Sequence, residues 1–164
     1  MPLVPEPTRP YRRGVGIALL NARGMVFVGQ RCDSTEPAWQ MPQGGIDKGE
    51  EPRVAAMREM GEEIGTDKAK IIAETPDWLR YDLPPDLAAT MWKGKYRGQE
   101  QKWFLMRFLA TDADIDIATA HPEFSAWKWL PFRELPNVIV GFKRDIYVQV
   151  VEAFGSIVDK IRKA

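Results

Sequence analysis

The apolar positions of this chain switch between two periods, and the switches mark its elements. Residues 14–20, GVGIALL, and 25–30, MVFVGQ, are apolar runs rich in strand formers around Asn21-Ala22-Arg23-Gly24, and they predict a hairpin. Residues 31–38 are polar and contain Pro37, so they read as a loop; WQMPQGG at 39–45 reads as a short strand running into a turn. From Glu51 to Ile64 the spacing becomes three and four. Val54, Met57, Met60 and Ile64 then share one helical face, Pro52 suits the first turn and Gly65 supplies the stop. Short strands are expected at 71–74 and 78–83, a short helix at 86–92 and a polar loop at 94–101. KWFLMRFLA and FSAWKWL read as strong strands. A terminal helix over 142–162 carries the stripe Ile146, Val150, Phe154, Ile157 and Ile161. No repeat or linker intervenes. The expectation is one α/β (α+β) domain over 11–164, with helices layered on a mixed sheet, preceded by a mobile arm at 1–10 that holds Pro2, Pro5 and Pro7.

Composition narrows the functions open to such a domain. The 23 basic and 23 acidic residues cancel, which excludes a broad electropositive surface and tight sequence-independent binding to DNA or long RNA. A polyanionic substrate must be gripped by a local cluster of Lys and Arg. Cys32 is the single cysteine, so no internal disulfide forms, in keeping with a reducing cytosol. His121 is the single histidine and lies far from Cys32, which argues against a Cys–His nucleophile, a multi-histidine metal centre or a phosphohistidine. The first residues hold no apolar core segment for a signal peptide, and no run of about 18 apolar residues suits a membrane span. No G-x-x-x-x-G-K-[ST] motif occurs, which excludes a P-loop enzyme.

The informative segment is GGIDKGEEPRVAAMREMGEEIGT, Gly44 to Thr66. Glu59, Glu62 and Glu63 fall at i, i+3 and i+4, on one face of the expected helix and roughly opposite its apolar stripe. Like charges so placed cost about 0.2–0.5 kcal/mol per close pair. Arg58, four residues before Glu62, is the one local relief; the positions four residues after Glu62 and Glu63 are Thr66 and Asp67. A cation from outside would offset the repulsion, and carboxylates without His or Cys suit a hard ion such as Mg²⁺ or Mn²⁺. The glutamates alone also fit a solvated acidic face.

The full spacing decides between these readings. It resembles the Nudix box, Gly-x5-Glu-x7-Arg-Glu-U-x-Glu-Glu-x-Gly-U with U a bulky aliphatic residue. Gly44, Glu50, Arg58, Glu59, Met60, Glu62, Glu63 and Gly65 match, and only the last U departs, as Thr66. The resemblance implies the Nudix fold, a mixed sheet sandwiched between helices with the box as loop–helix–loop. It implies that Glu59, Glu62 and Glu63 ligate divalent metal, with the Gly44 carbonyl, and that two or more ions act with substrate bound. Arg58 would orient the carboxylates, and Glu50 would brace the loop. A metal-activated water would attack phosphorus in line, with Glu59 or a carboxylate outside the box as base. Glu123, just before a strong strand, is the first choice for that extra carboxylate and Glu100 the rival.

YRRGVGIALLN, AWQMPQGGID, GQEQKWFLMRF, PEFSAWKW and VGFKRDIY extend the resemblance over nearly the whole chain after residue 10, to the branch of bacterial RNA pyrophosphohydrolases and dinucleoside polyphosphate hydrolases. The implied substrates are the 5′-triphosphate end of RNA, placed first, and diadenosine tetraphosphate, split to ATP and AMP; one enzyme can carry both activities. Arg31, Lys93, Lys95, Arg97, Lys102, Lys143 and Arg144 are available to phosphates, and Trp39, Trp92, Tyr96 and Phe142 to bases. Matching positions in RNA-processing members single out Phe142 as base-stacker and Arg31 as RNA contact, with Lys143 and Arg144 alongside. Trp103, Trp127 and Trp129, on strand patterns, read as packing. A non-catalytic Nudix module typically lacks box carboxylates, which this chain retains. A protein-docking face would not require Gly44, Glu50 and Arg58 at their spacing.

Overall fold

Strand β1 (Tyr11–Leu20) is the spine of the sheet. Its second half is buried without interruption, because layers cover both faces of the sheet there and leave no solvent side for polar residues. The computed structural model describes residues 9–32, 37–139 and 141–163, so nearly all of the expected arm and part of the expected loop at 31–38 lie outside the described residues.

β1 runs parallel to β6 (Gly98–Phe108) along its whole length, from Tyr11↔Gly98 to Leu20↔Arg107. Beyond β6 lie β4 (Ala69–Glu74) and β5 (Leu79–Asp82), both antiparallel to it. The expected hairpin exists only at its turn. β2 (Met25–Arg31) meets β1 at Leu20↔Val26, then diverges to pair antiparallel with β7 (Phe124–Pro131). The chain threads back into the gap: Gln40 bridges Gly29 of β2, and β3 (Gln43–Gly45) pairs with β1 from Gly16↔Gln43 to Gly14↔Gly45. The result is a seven-stranded mixed sheet in the order β4-β6-β1-β2-β7, with β3 and β5 attached to β1 and β6.

Side chains on a strand point alternately to opposite faces, so the sheet supports two cores. Val15, Ile17, Leu19, Phe27, Phe104 and Met106 pack under α1 (Pro52–Ile64). Ala18, Leu20, Val26, Val28, Trp103 and Leu105 pack under α3 (Arg144–Lys163), which buries Ile146, Tyr147, Val150, Phe154 and Val158. The sheet is therefore sandwiched between helices, as the sequence led us to expect. Trp103 is fully buried; Trp127 stacks on Phe27 at 5.5 Å and Trp129 meets Phe27 edge-on at 6.0 Å.

Two further expectations need correction. The polar loop at 94–101 is not all loop, since β6 begins at Gly98 and buries Gln99, Glu100 and Gln101. These polar side chains are tolerated because each is bonded. Gln101 donates to Gln43 and Gln99 at 3.0 Å and accepts from the Trp103 indole at 3.1 Å; Glu100 takes Arg13 at 2.8 Å and Arg80 at 2.9 Å. The packed face of α1 also differs. Ala55, Ala56, Met60, Ile64 and Glu63 are buried, while Val54 is 56% exposed. The small alanines bring the helix close to the sheet and turn Glu63 inward, so the three glutamates are graded in burial rather than arrayed opposite the apolar side.

α1 ends at Gly65, whose φ of 83° is the left-handed conformation that glycine takes at least cost. Its N–H bonds the Gly61 carbonyl at 3.1 Å, and the Ile64 carbonyl accepts the Asp116 N–H at 2.8 Å. That second bond stitches the loop leading to Glu123 onto the end of the box helix. At the other face, the Met41 N–H donates to the Tyr147 hydroxyl at 2.7 Å, tying α3 to the approach to β3. No helix among the described residues is long and apolar enough to cross a membrane.

Candidate active site

Arg58 organises the box. Its Nε and Nη2 form a fork on Glu50, both at 2.9 Å; Nη2 also donates to the Gly45 carbonyl at 2.9 Å, and Nη1 reaches Glu59 at 3.0 Å and Glu62 at 3.2 Å. One planar guanidinium thus joins the loop before α1 to the helix. Glu50 also accepts the Asp47 N–H at 3.0 Å, closing the turn. The Arg58 fork, helped by that backbone bond, holds the Glu50 carboxyl down to a pKa of about 2.

The other carboxylates are pushed the opposite way. Burial raises Glu59 above the usual carboxylate range, against the pull of Arg58. Burial raises Glu63 further, aided by repulsion from Glu59 and Glu123 and opposed by a backbone hydrogen bond from Gln43. Glu63 is 6% exposed, and its Oε2 is buried with no hydrogen-bond partner. Gly44 faces this row so closely that a Cβ there would overlap the Glu59 carboxylate.

These groups open on a cavity of about 630 Å³ at the splay between β1 and β2. Gly44, Glu59, Glu62, Glu63 and Glu123 line it, as do Arg31, Phe142 and Lys143. A bulge between Gln30 and Arg31 re-aims the Arg31 side chain, which lies 3.6 Å from Glu123. The Glu123 carbonyl accepts the Cys32 N–H at 2.9 Å, fixing the loop beside β2. A second cavity, of about 480 Å³, opens on the same four glutamates from the side of Thr119 and His121. Phe142 packs on Tyr81 with ring centroids 5.8 Å apart, and Lys143 lies 5.9 Å from the Phe142 ring.

Other expected contacts stand elsewhere. Glu100 points to the opposite face of β6 from Gln99, where Arg13 and Arg80 outweigh its burial and hold its carboxyl below the usual range. Lys95 and Arg144 do not line the cavity; the Arg144 guanidinium bonds the Pro136 carbonyl at 3.1 Å. Tyr96 meets the cavity only through Trp92, edge-on at 6.0 Å. Our sequence reasoning missed Arg12, Gln40, Gln43, Tyr81 and Gln99 as cavity residues. The missed signal is the period of two in GQEQKWFLMRF, which puts Gln99, Gln101 and Trp103 on one face once the run is read as a single strand.

Glu59 and Glu62 are turned toward Arg58, and among the described residues no three acidic, His or Cys side chains stand as a ready-made metal cluster. The donor set nonetheless fits a hard cation. Glu63 Oε2 lacks a partner, Glu59 and Glu63 repel one another, and every candidate ligand is an oxygen.

A mixed sheet between helices, with a loop–helix–loop presenting a row of carboxylates to a cavity that Arg12, Arg31 and Lys143 also line, suits a hydrolase of phosphoanhydride bonds. Residues 10–150 match the NUDIX domain family, and the chain belongs to it. Nudix hydrolases generally use divalent metal ions. The chain is 62% identical over 147 residues to an RNA pyrophosphohydrolase of Roseobacter denitrificans, covering 88% of this chain and 92% of that one. It is 61% identical over 142 residues to an RNA pyrophosphohydrolase of Rhodospirillum rubrum, covering 87% and 86%. Its fold resembles the E. coli dihydroneopterin triphosphate pyrophosphohydrolase (TM-score 0.64, 20% identity, 87% of this chain and 98% of that chain). It also resembles a C. elegans Ap4A hydrolase (TM-score 0.63, 20% identity, 88% and 98%).

Proposed function

We propose that this chain removes pyrophosphate from the 5′-triphosphate end of RNA, using Mg²⁺ or Mn²⁺, with two or more ions when substrate is bound. The observation that carries the reading is the make-up of the cavity. Glu59, Glu62, Glu63 and Glu123 share it with Arg12, Arg31 and Lys143, and the Tyr81–Phe142 pair forms one wall. Those are the parts needed to cut a polyphosphate attached to a nucleoside. The relatives named RNA pyrophosphohydrolase support the choice of RNA.

Glu59, Glu62 and Glu63, with Glu123 and the Gly44 carbonyl, would hold the metal. When bound, a divalent ion neutralises phosphate charge and lowers the pKa of a coordinated water. The chain's own groups do the rest. Arg58 keeps Glu59 and Glu62 aimed from α1, and Glu50 keeps Arg58 in place. Arg12, Arg31 and Lys143 grip phosphate oxygens. Phe142 offers ring surface to a base, with the buried Tyr81 ring packed against it. Either Glu59, inside the box, or Glu123, outside it, would take the proton of the attacking water in this reading.

A second reading, asymmetric cleavage of diadenosine tetraphosphate to ATP and AMP, is favoured by one observation. Trp92 gives the cavity an aromatic wall besides Tyr81–Phe142, and a dinucleotide has two bases to place. The test is a Mg²⁺-dependent assay offering 5′-triphosphorylated RNA and diadenosine tetraphosphate side by side. A higher kcat/KM for pyrophosphate release from RNA is the expected result. Faster release of ATP and AMP would favour the second reading, and turnover of neither would overturn both.

A further inference from the structure

Arg12 and Arg13 are consecutive on β1 and therefore project to opposite faces of the sheet. Arg12 lines the cavity. Arg13 lies two residues before Val15, on the face that α1 covers, yet its side chain is 65% exposed, so the helix stops short of it. The uncovered end of that face gathers further cations. Glu100 stands opposite Arg13 in the register of β1 with β6, and Arg80 stands opposite Glu100 in the register of β5 with β6. The Glu100 carboxylate takes both arginines through Nε, at 2.8 and 2.9 Å, and the Arg80 side chain is 61% exposed. A guanidinium carries five N–H donors, so the Nη ends are not used in that contact.

Aromatic rings hold these guanidiniums in place. Arg13 lies 4.8 Å over the Trp78 ring, and the Tyr11 ring takes Arg80 at 5.0 Å and Arg97 at 4.9 Å. Arg97 forks onto Asp82, through Nε at 3.3 Å and Nη2 at 3.2 Å. The alternation of ring and cation continues round the end of the strands toward the cavity. Trp92, which follows α2 (Pro85–Thr90), lines the cavity with Arg12 5.1 Å over its ring. Between Trp92 and Arg97 stand the exposed Lys93 and Lys95, and Tyr96, which meets Trp92 edge-on at 6.0 Å. Lys95 and Tyr96, set outside the cavity, thus fall on a path that leaves it. Glu100 and Asp82 are the carboxylates bonded into this path, and its cations outnumber them.

Such a strip in a chain whose charges cancel is a local device, and its chemistry indicates the occupant. Guanidinium forks match phosphate oxygens, and their flat faces also take stacked bases. Charges spaced among rings suit a polymer that repeats a phosphate and a base. We infer that the strip from Tyr96 through Arg97, Tyr11 and Arg80 to Arg13 and Trp78 is a track for the body of the RNA chain, downstream of the nucleotides held in the cavity. The inference rests on the reading of the substrate as 5′-triphosphorylated RNA. Phosphate contacts position a chain without reading its sequence, so the track favours long RNA over short RNA, through KM, whatever the sequence. Diadenosine tetraphosphate, with no chain beyond its second nucleoside, gains nothing from it.

The experiment measures kcat/KM in Mg²⁺ for unstructured 5′-triphosphorylated RNAs of about three and about 20 nucleotides, between about 50 and 200 mM salt, for the unaltered protein and for Arg13→Gln/Arg80→Gln. The long RNA should exceed the short one by about ten-fold at low salt, and the advantage should fall as salt rises. The double variant should leave the short RNA unchanged and remove most of the advantage through KM. Its salt slope for the long RNA should be shallower by about 1.4, since two single-strand phosphate contacts are lost at about 0.7 each. A photoreactive uridine downstream of the cavity nucleotides should cross-link to Tyr11 or Trp78 in the unaltered protein, which tests the track even if the double variant fails to fold. Equal kcat/KM for both lengths, an advantage that the double variant keeps, or cross-links confined to the cavity would overturn the inference. So would poly-glutamate that displaces the long RNA more readily than unlabelled RNA does, which would make the strip a docking face for acidic protein. Absence of turnover with both RNAs would overturn the proposed function instead, and the affinities of the two 5′-monophosphorylated RNAs, read by anisotropy, would still decide the track.

Discussion

Glu63 is the group at which stability and function pull hardest against each other, and Glu63→Gln measures both. The side chain is 6% exposed, Oε2 has no partner, and Glu59 and Glu123 repel its charge. A buried polar group left unsatisfied costs about 1–3 kcal/mol. Glutamine has nearly the same shape and carries no charge, so the repulsion from Glu59 and Glu123 is removed. Recovering about 1 kcal/mol raises Tm by about 2–4 °C for a domain of this size. The expected outcome is a metal-free variant that melts higher than the unaltered protein at pH 8 in EDTA, yet has lost orders of magnitude in Mg²⁺-dependent kcat.

The pH dependence separates this mechanism from a general packing gain. The folded state raises the Glu63 carboxyl well above its ordinary value of 4.5, so above that pH the folded protein holds a proton that the unfolded chain has released. Stability from this group is therefore complete below the unfolded value and declines as pH climbs toward the folded one. Glutamine has no such proton. The difference in Tm should be near zero at pH 4 and open steadily as pH rises, followed by scanning calorimetry in EDTA. A difference that does not change with pH, a variant no more stable at pH 8, or near-normal turnover would each refute the reasoning.

Three further outcomes follow from the same geometry. Gly44→Ala should lower kcat by about 100-fold with the circular dichroism spectrum unchanged, because the new methyl displaces the Glu59 carboxylate that it would overlap. Gly65→Ala should cost about 1–2 kcal/mol or more in urea unfolding, since alanine is strained at φ 83° and its Cβ meets Asp116; activity per folded molecule should hold. Glu123→Gln should lower kcat ten-fold or more, by about the contribution of a general base or metal ligand, whereas Glu100→Gln should lower Tm and spare kcat, because it leaves Arg13 and Arg80 without their shared counter-ion.

How much of this could be read from the sequence depends on how local each feature is. The box is nearly self-contained. Arg58 reaches Glu50, Glu59 and Glu62 within one loop and one helix, so the spacing of residue types already encodes the contacts. The layered architecture followed from alternation on strands and the stripe on α3. The parallel pairing of β1 with β6 could not be read, because neither strand carries a local mark of its partner. With that pairing went Arg12 and Gln99, which reach the cavity only because of the face they take in the register Arg12↔Gln99. Burial of Glu63 was missed for a different reason. Helical spacing counts carboxylates around a cylinder, and only the contact of Ala55 and Ala56 with the sheet decides which side of the cylinder is inside.

That distinction explains why the box needs an arginine. Glu50, Glu59, Glu62 and the Gly45 carbonyl take Arg58 through Nε, Nη1 and Nη2, in directions that a single planar fork supplies at once. A lysine ammonium would carry the same charge but lacks the planar fork that engages Glu50 at two points. Arg58 therefore relieves repulsion where its donors reach and nowhere else. Glu63 lies beyond it, buried among like charges with an oxygen unpartnered. The strain left over after the arginine has acted is concentrated on the side chain that faces into the cavity, which is where a cation from solution gains most by binding.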